Sequence, residues 1–119
     1  MTIKIKKIYV KDNGSSKLFK IKDHPYYLSL ANNNRTLYEN FIKNNYLQLQ
    51  KTSGTWDGYL NLYEQLKTNF DMNDSDIKIR KINNNYVCYH GRHRICILDH
   101  IHGDNTKLKI KHGKLVKLT

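Results

Sequence analysis

The pattern of apolar and polar positions changes period several times along the chain, and each change marks an element. Residues 2–10, TIKIKKIYV, alternate apolar and basic at Ile3 and Ile5, then resume in a shifted phase at Ile8 and Val10. A phase change inside an alternating run predicts one strand carrying a bulge. KDNGSS is turn chemistry, and KLFKI, residues 17–21, predicts a second strand, so the chain should open with a hairpin. DHPYYLSLANNN contains the only proline, Pro25, and ends on an Asn triplet, which reads as an irregular connection.

TLYEN then carries a capping box. Thr36 is placed to accept from an amide three residues on, and Glu39 to reach back, which predicts a helix running to about Tyr46. QKTSGT breaks it. Thr55 is a second N-cap candidate, with Asp57 in the first turn suiting the helix dipole. From there Trp56, Tyr59, Leu60, Tyr63, Leu66 and Phe70 form a helical stripe, best explained as core packing. DMNDSD ends this helix. IKIRKI (77–82) and YVCY (86–89), joined by the NNN turn, predict a hairpin. After Gly91, Ile95, Leu98 and Ile101 mark one helix face, and Gly103 stops the helix. KLKIK and KLVKL close the chain as two strands about a His-Gly turn. The order predicts an α+β fold: one domain over residues 1–119, a small mixed β-sheet with three main helices packed on one side.

Composition changes this picture little, but charge does. The chain has 119 residues and a formal net charge of +11. No apolar run approaches the roughly 20 residues of a membrane span, and the N-terminus has no signal-peptide apolar block. A cytoplasmic protein with no membrane partner is expected. Two cysteines, Cys88 and Cys96, are too few for a disulfide framework and read as buried apolar residues. A basic balance suits nucleotide or nucleic acid. The same Lys, Asn, Ile and Tyr richness is what AT-rich codons specify, so a viral or other AT-rich genome would also yield it.

The sharpest chemical signal is YVCYHGRHRICIL, residues 86–98. A strand ends, His90-Gly91 turns, and Arg92, His93 and Arg94 open a helix. A helix start exposes unpaired amides and a partial positive charge, so three basic residues there conflict with the dipole. Two resolutions follow. Either the arginines pair with acids such as Asp99 or Glu64 or point into water, or an anion such as phosphate is held by the amides and the Arg forks.

Residues 83–110, NNNYVCYHGRHRICILDHIHGDNTKLKI, resemble the ParB/sulfiredoxin-like superfamily, as a stand-alone small member. The shared pattern is a strand, then Gly, a variable residue, His or Arg, and Arg, opening a helix that ends at a Gly before another strand. Gly91, Arg92, His93 and Arg94 fill that motif and Gly103 fits the helix end. The segment GTWDGYLNLYEQLKTNFDMNDSDIKIR is similar to what precedes the motif. The resemblance implies a ParB/sulfiredoxin-like domain that binds nucleotide phosphates through Gly91, Arg92, His93 and Arg94. ATP or CTP with Mg2+ is the implied cofactor, and a phosphotransferase or nucleotide hydrolase the implied activity. The alternative is a small basic DNA- or RNA-binding module without catalysis. The family's peroxiredoxin-repair enzyme needs a cysteine where this chain has Arg92, and its segregation clamps continue into a helix-turn-helix where this chain stops at Thr119. Neither activity is expected.

Phosphoryl transfer also needs a base or a water-orienting acid. Asp57 and Glu64, seven apart on one helix, are weak candidates alongside Glu39, and none has a spacing that forces an assignment. Cys88, His90, His93, His100 and His102 lie close in sequence, but without paired metal-ligand spacing and beside two arginines, so no metal site is expected.

Overall fold

The structure, a computed structural model, describes residues 2–12, 15–45, 55–69 and 76–117. Among these, seven strands and four helices follow one another. The chain starts with β1 (Thr2–Lys4), a 3-10 turn (Ile5–Lys7), β2 (Ile8–Lys11), β3 (Leu18–Lys20) and a second 3-10 turn (Ile21–Asp23). Then come α1 (Pro25–Ala31), α2 (Arg35–Asn45), α3 (Trp56–Asn69), β4 (Lys78–Ile82), β5 (Asn85–His90), α4 (Arg92–His102), β6 (Lys107–Lys111) and β7 (Lys114–Lys117). The α+β class agrees with the sequence pattern, with four helices in place of the expected three.

The seven strands form one sheet in the order β1-β6-β7-β4-β5-β2-β3. Only β2 and β5 run parallel; every other pair is antiparallel. This order forces the sheet to curl. β1 and β2 stand five strand positions apart, about 24 Å across a flat sheet. The link from Lys4 to Ile8 spans at most about 14 Å. Strands β4 and β7 share one paired position, Lys78 with Lys114, the sparsest pairing between neighbouring strands of the sheet. Hydrogen bonds from the Ile79 amide to the Gly113 carbonyl (2.8 Å) and from the Leu115 amide to the Ile77 carbonyl (2.9 Å) hold that seam.

The opening run is therefore not one bulged strand. Its phase change marks the point where the chain leaves β6 as partner and joins β5, across a turn whose Ile5 amide donates to the Thr106 carbonyl at 2.8 Å. Ile5 and Ile8 are both fully buried, so each half keeps its apolar side inward.

The segment read as an irregular connection is helix α1. His24 caps it, its Nδ1 accepting from the Tyr26 amide at 3.0 Å, and Pro25 occupies the first turn, where a missing amide costs nothing. Histidine is outside the usual capping set, which hid the start. The next helix begins two residues earlier than the capping box implied. Asn34 caps it by accepting from the Leu37 amide at 3.0 Å, and Glu39 pairs with Arg35 at 3.2 Å instead of reaching back. Thr55 caps α3 as expected, accepting from the Gly58 amide at 3.0 Å. In the α3 stripe Trp56, Tyr59 and Leu66 are buried, whereas Leu60 is exposed; Phe70 lies outside the described residues.

Helix α4 is the centre of the molecule. Ile95, Cys96, Ile97, Leu98 and Asp99 are all buried, so the helix is covered on every side and not on the single face its spacing suggested. The sheet curls round it, with Ile3, Ile8, Val10, Ile79, Cys88, Leu108 and Leu115 facing inward; Tyr26, Tyr38, Trp56 and Tyr59 complete the core from the helices.

Candidate functional site

β5 delivers the chain to Gly91, and α4 starts at Arg92. Gly91 caps the helix in the left-handed conformation, φ +81°. A Cβ there would lie 3.0 Å from both Cα and Cγ1 of Ile77, so this glycine is required by φ and by close contact with the chain leading into β4. No side chain caps the helix and no acid occupies its first turn. Its leading amides thus keep their partial positive charge.

The three basic residues behind Gly91 do different things. Arg92 turns back toward Asp12, just past β2, its Nη1 donating to Oδ1 at 3.4 Å. Its side chain is only 15% exposed and that of Asp12 8%. The same carboxylate accepts from His24 Nε2, which lies 3.0 and 3.1 Å from its two oxygens. Because His24 Nδ1 accepts the Tyr26 amide, the ring proton sits on Nε2, pointing at Asp12. One buried carboxylate therefore joins the end of β2, the start of α1 and the start of α4.

His93 is enclosed by aromatic rings. It stacks on Tyr26 at 4.0 Å and 20°, with Tyr59 edge-on at 5.1 Å. Its Nε2 lies 2.9 Å from the Tyr38 hydroxyl. Burial, helped by the charge of Arg92, pushes its pKa down to about 3, so it is neutral near pH 7. Burial likewise drives the Tyr38 hydroxyl up, and it stays protonated. Arg94 is half-buried and, among the described residues, makes no hydrogen bond or ion pair.

The expected cluster of three cations is thus largely resolved inside the fold. Arg92 is offset by Asp12, His93 is uncharged, and Arg94 with the uncapped amides is what remains for an external anion. Neither Asp99 nor Glu64 pairs with the arginines. Asp57 and Glu64 are exposed on α3, on the side away from buried Trp56, Tyr59 and Leu66. No group of three His, Cys, Asp or Glu among the described residues could hold a metal ion. Cys88 donates to the His90 carbonyl at 3.2 Å, and burial pushes its thiol up to about 12, which makes it inert as a nucleophile. His100 instead lies 2.9 Å, through Nδ1, from the Tyr63 hydroxyl.

Sequence reasoning missed Asp12, His24 and Tyr26, whose positions carry no motif. It named Asp99 only as a possible partner for the arginines, a role the structure does not give it. An open cleft of about 730 Å³ is lined by Lys6, Lys7, Tyr9, Lys20, Lys22, Tyr86 and Asp99, among others. Asp99 is 2% exposed and, among the described residues, neither carboxylate oxygen has a hydrogen-bond partner. Burial raises its pKa to about 6, against the opposing pull of Lys22.

No family model, no curated protein and no solved structure matches the chain. No helix among the described residues is long and apolar enough to cross a membrane.

Proposed function

We propose that the chain is a nucleotide-binding domain of ParB/sulfiredoxin-like type that works in the cytoplasm and receives the phosphates of ATP or CTP, with Mg2+, over the first turn of α4. The observation that carries this reading is a helix start with no capping side chain, no acid in its first turn and one cation, Arg94, that has no partner among the described residues. Uncapped amides and an arginine in the same first turn are the parts from which an anion site is built. In this reading Arg94 carries the phosphate contact. Arg92, held by Asp12, contributes charge at longer range, and Gly91 sets the chain's entry into the helix. His93 supports the turn from below as a neutral ring. Phosphotransfer or nucleotide hydrolysis is the activity to assay, with the acid or base left to be found by mutation.

The test is a thermal-shift panel on wild type and Arg94→Ala. Its ligands are ATP, ADP, CTP, GTP, inorganic phosphate and a short DNA duplex, each with and without Mg2+. A nucleotide at 100 times its Kd should raise stability by about 2.7 kcal/mol, a shift of about 10 °C for a domain of this size. The shift should vanish in folded Arg94→Ala. An equal shift in the variant removes Arg94 from the site, and silence from every nucleotide overturns the reading.

A further inference from the structure

We infer that the outer face of the curled sheet binds single-stranded nucleic acid. The first observation is how charge is sorted. The seven strands carry ten lysines and one arginine, and no acidic residue. The described acids all lie in turns, loops and helices. Codon bias enriches lysine but does not move acids off the strands.

The second observation is register. Ile3 pairs with Leu108 and Ile110 with Leu115, all turned to the core side, so the alternate positions face outward. There Lys4 stands directly opposite Lys107. Lys111 stands opposite Lys114, which stands opposite Lys78 on the next strand. Like charges placed opposite each other destabilise a sheet. Among the described residues the one acid that ion-pairs on this row is Asp76, 3.5 Å from Lys114 and 3.3 Å from His90. The cations form a grid of about 5 by 7 Å, the strand spacing by the two-residue repeat. An external polyanion is the natural counter-charge.

The third observation selects the partner. Tyr9 faces outward, since its neighbours Ile8 and Val10 face the core; Val87, opposite it on the same side of the sheet, is itself fully buried and offers no surface. Tyr89 shares that side and carries Arg80 over its ring at 4.7 Å. Half-buried tyrosines beside a lysine grid provide stacking surfaces for unpaired bases. An anionic membrane would call for exposed apolar side chains on this face; the exposed large apolar residue among those described, Leu60, is on α3. The face uses none of the residues of the α4 turn and does not depend on that reading.

The experiment is fluorescence anisotropy of the full chain with a labelled 20-mer oligo-dT and a 20-bp duplex, from 50 to 200 mM NaCl. Five phosphate contacts predict a loss of roughly 100-fold in single-strand affinity over that range. Lys107→Gln/Lys111→Gln should flatten the log–log salt slope by about 1.4. Lys43→Gln/Lys67→Gln, the same charge removed from α2 and α3, should leave it unchanged. Tyr89→Ala should weaken oligo-dT at least about fivefold, and Arg94→Ala should leave it alone. No binding at 50 mM NaCl overturns the inference, as does an equal effect of both lysine pairs. A preference for the duplex with no effect of Tyr89→Ala overturns the single-strand assignment, and binding confined to phosphatidylserine vesicles replaces it with a membrane.

Discussion

Asp99→Asn tests whether the buried carboxyl of α4 lacks a partner. With both oxygens unpartnered and burial raising its pKa to about 6 from an ordinary 3.8, Asp99 weakens the fold once ionised. The folded protein keeps the proton to higher pH than the unfolded chain does. Below pH 3.8 both states are protonated and nothing is lost. As pH rises through this window the unfolded chain releases its proton first, and stability falls until both are ionised above about pH 6. The shift corresponds to about 3 kcal/mol, which screening by water in the adjoining cleft trims to about 2 kcal/mol. Asparagine is neutral throughout, and its own unpaired amide adds only an offset independent of pH. Urea unfolding of both proteins at pH 4 and pH 8 therefore gives the answer. The variant should gain about 2 kcal/mol on wild type between the two, or about 8 °C in Tm. A difference that does not change with pH, or one that favours wild type at pH 8, would mean that the carboxylate is paired and the reasoning is wrong.

His93 acts with the opposite sign. Its folded pKa of about 3 lies below the ordinary 6.5, so wild type loses stability as pH falls below 6.5, by up to about 1.4 kcal/mol per pH unit. Its ring signals in NMR should not titrate between pH 8 and pH 4; a midpoint near 6.5 would show that the aromatic enclosure is open. Asp12→Ala should cost about 3 kcal/mol in chemical denaturation, because it leaves the His24 Nε2 proton and the Arg92 guanidinium buried without their shared acceptor. A loss below about 1 kcal/mol would mean that water replaces the carboxylate.

Where a residue's role is set by its near neighbours, the sequence was legible. The Asn83 and Asn84 turn, the His112-Gly113 turn, the Thr55 cap and the Gly91 and Gly103 boundaries of α4 all follow from local backbone and capping chemistry. Each involves groups within a few residues, so spacing alone reveals it. Local reading failed at α1, where the cap is a histidine held by a carboxylate 12 positions back. It also misjudged the opening run, although the mixed sheet itself was expected. An alternating run does not say which strand it will join, and β1 and β2 part company only because the curled sheet brings β6 to one and β5 to the other. The charged turn shows the division most plainly. The sequence by itself determined that Gly91, Arg92, His93 and Arg94 would share one helix start. Only the tertiary structure decided that Asp12, 80 positions away, offsets Arg92 and that three tyrosines hold His93 neutral. Pairing and desolvation depend on distances in space, and those distances are set when the sheet curls around α4.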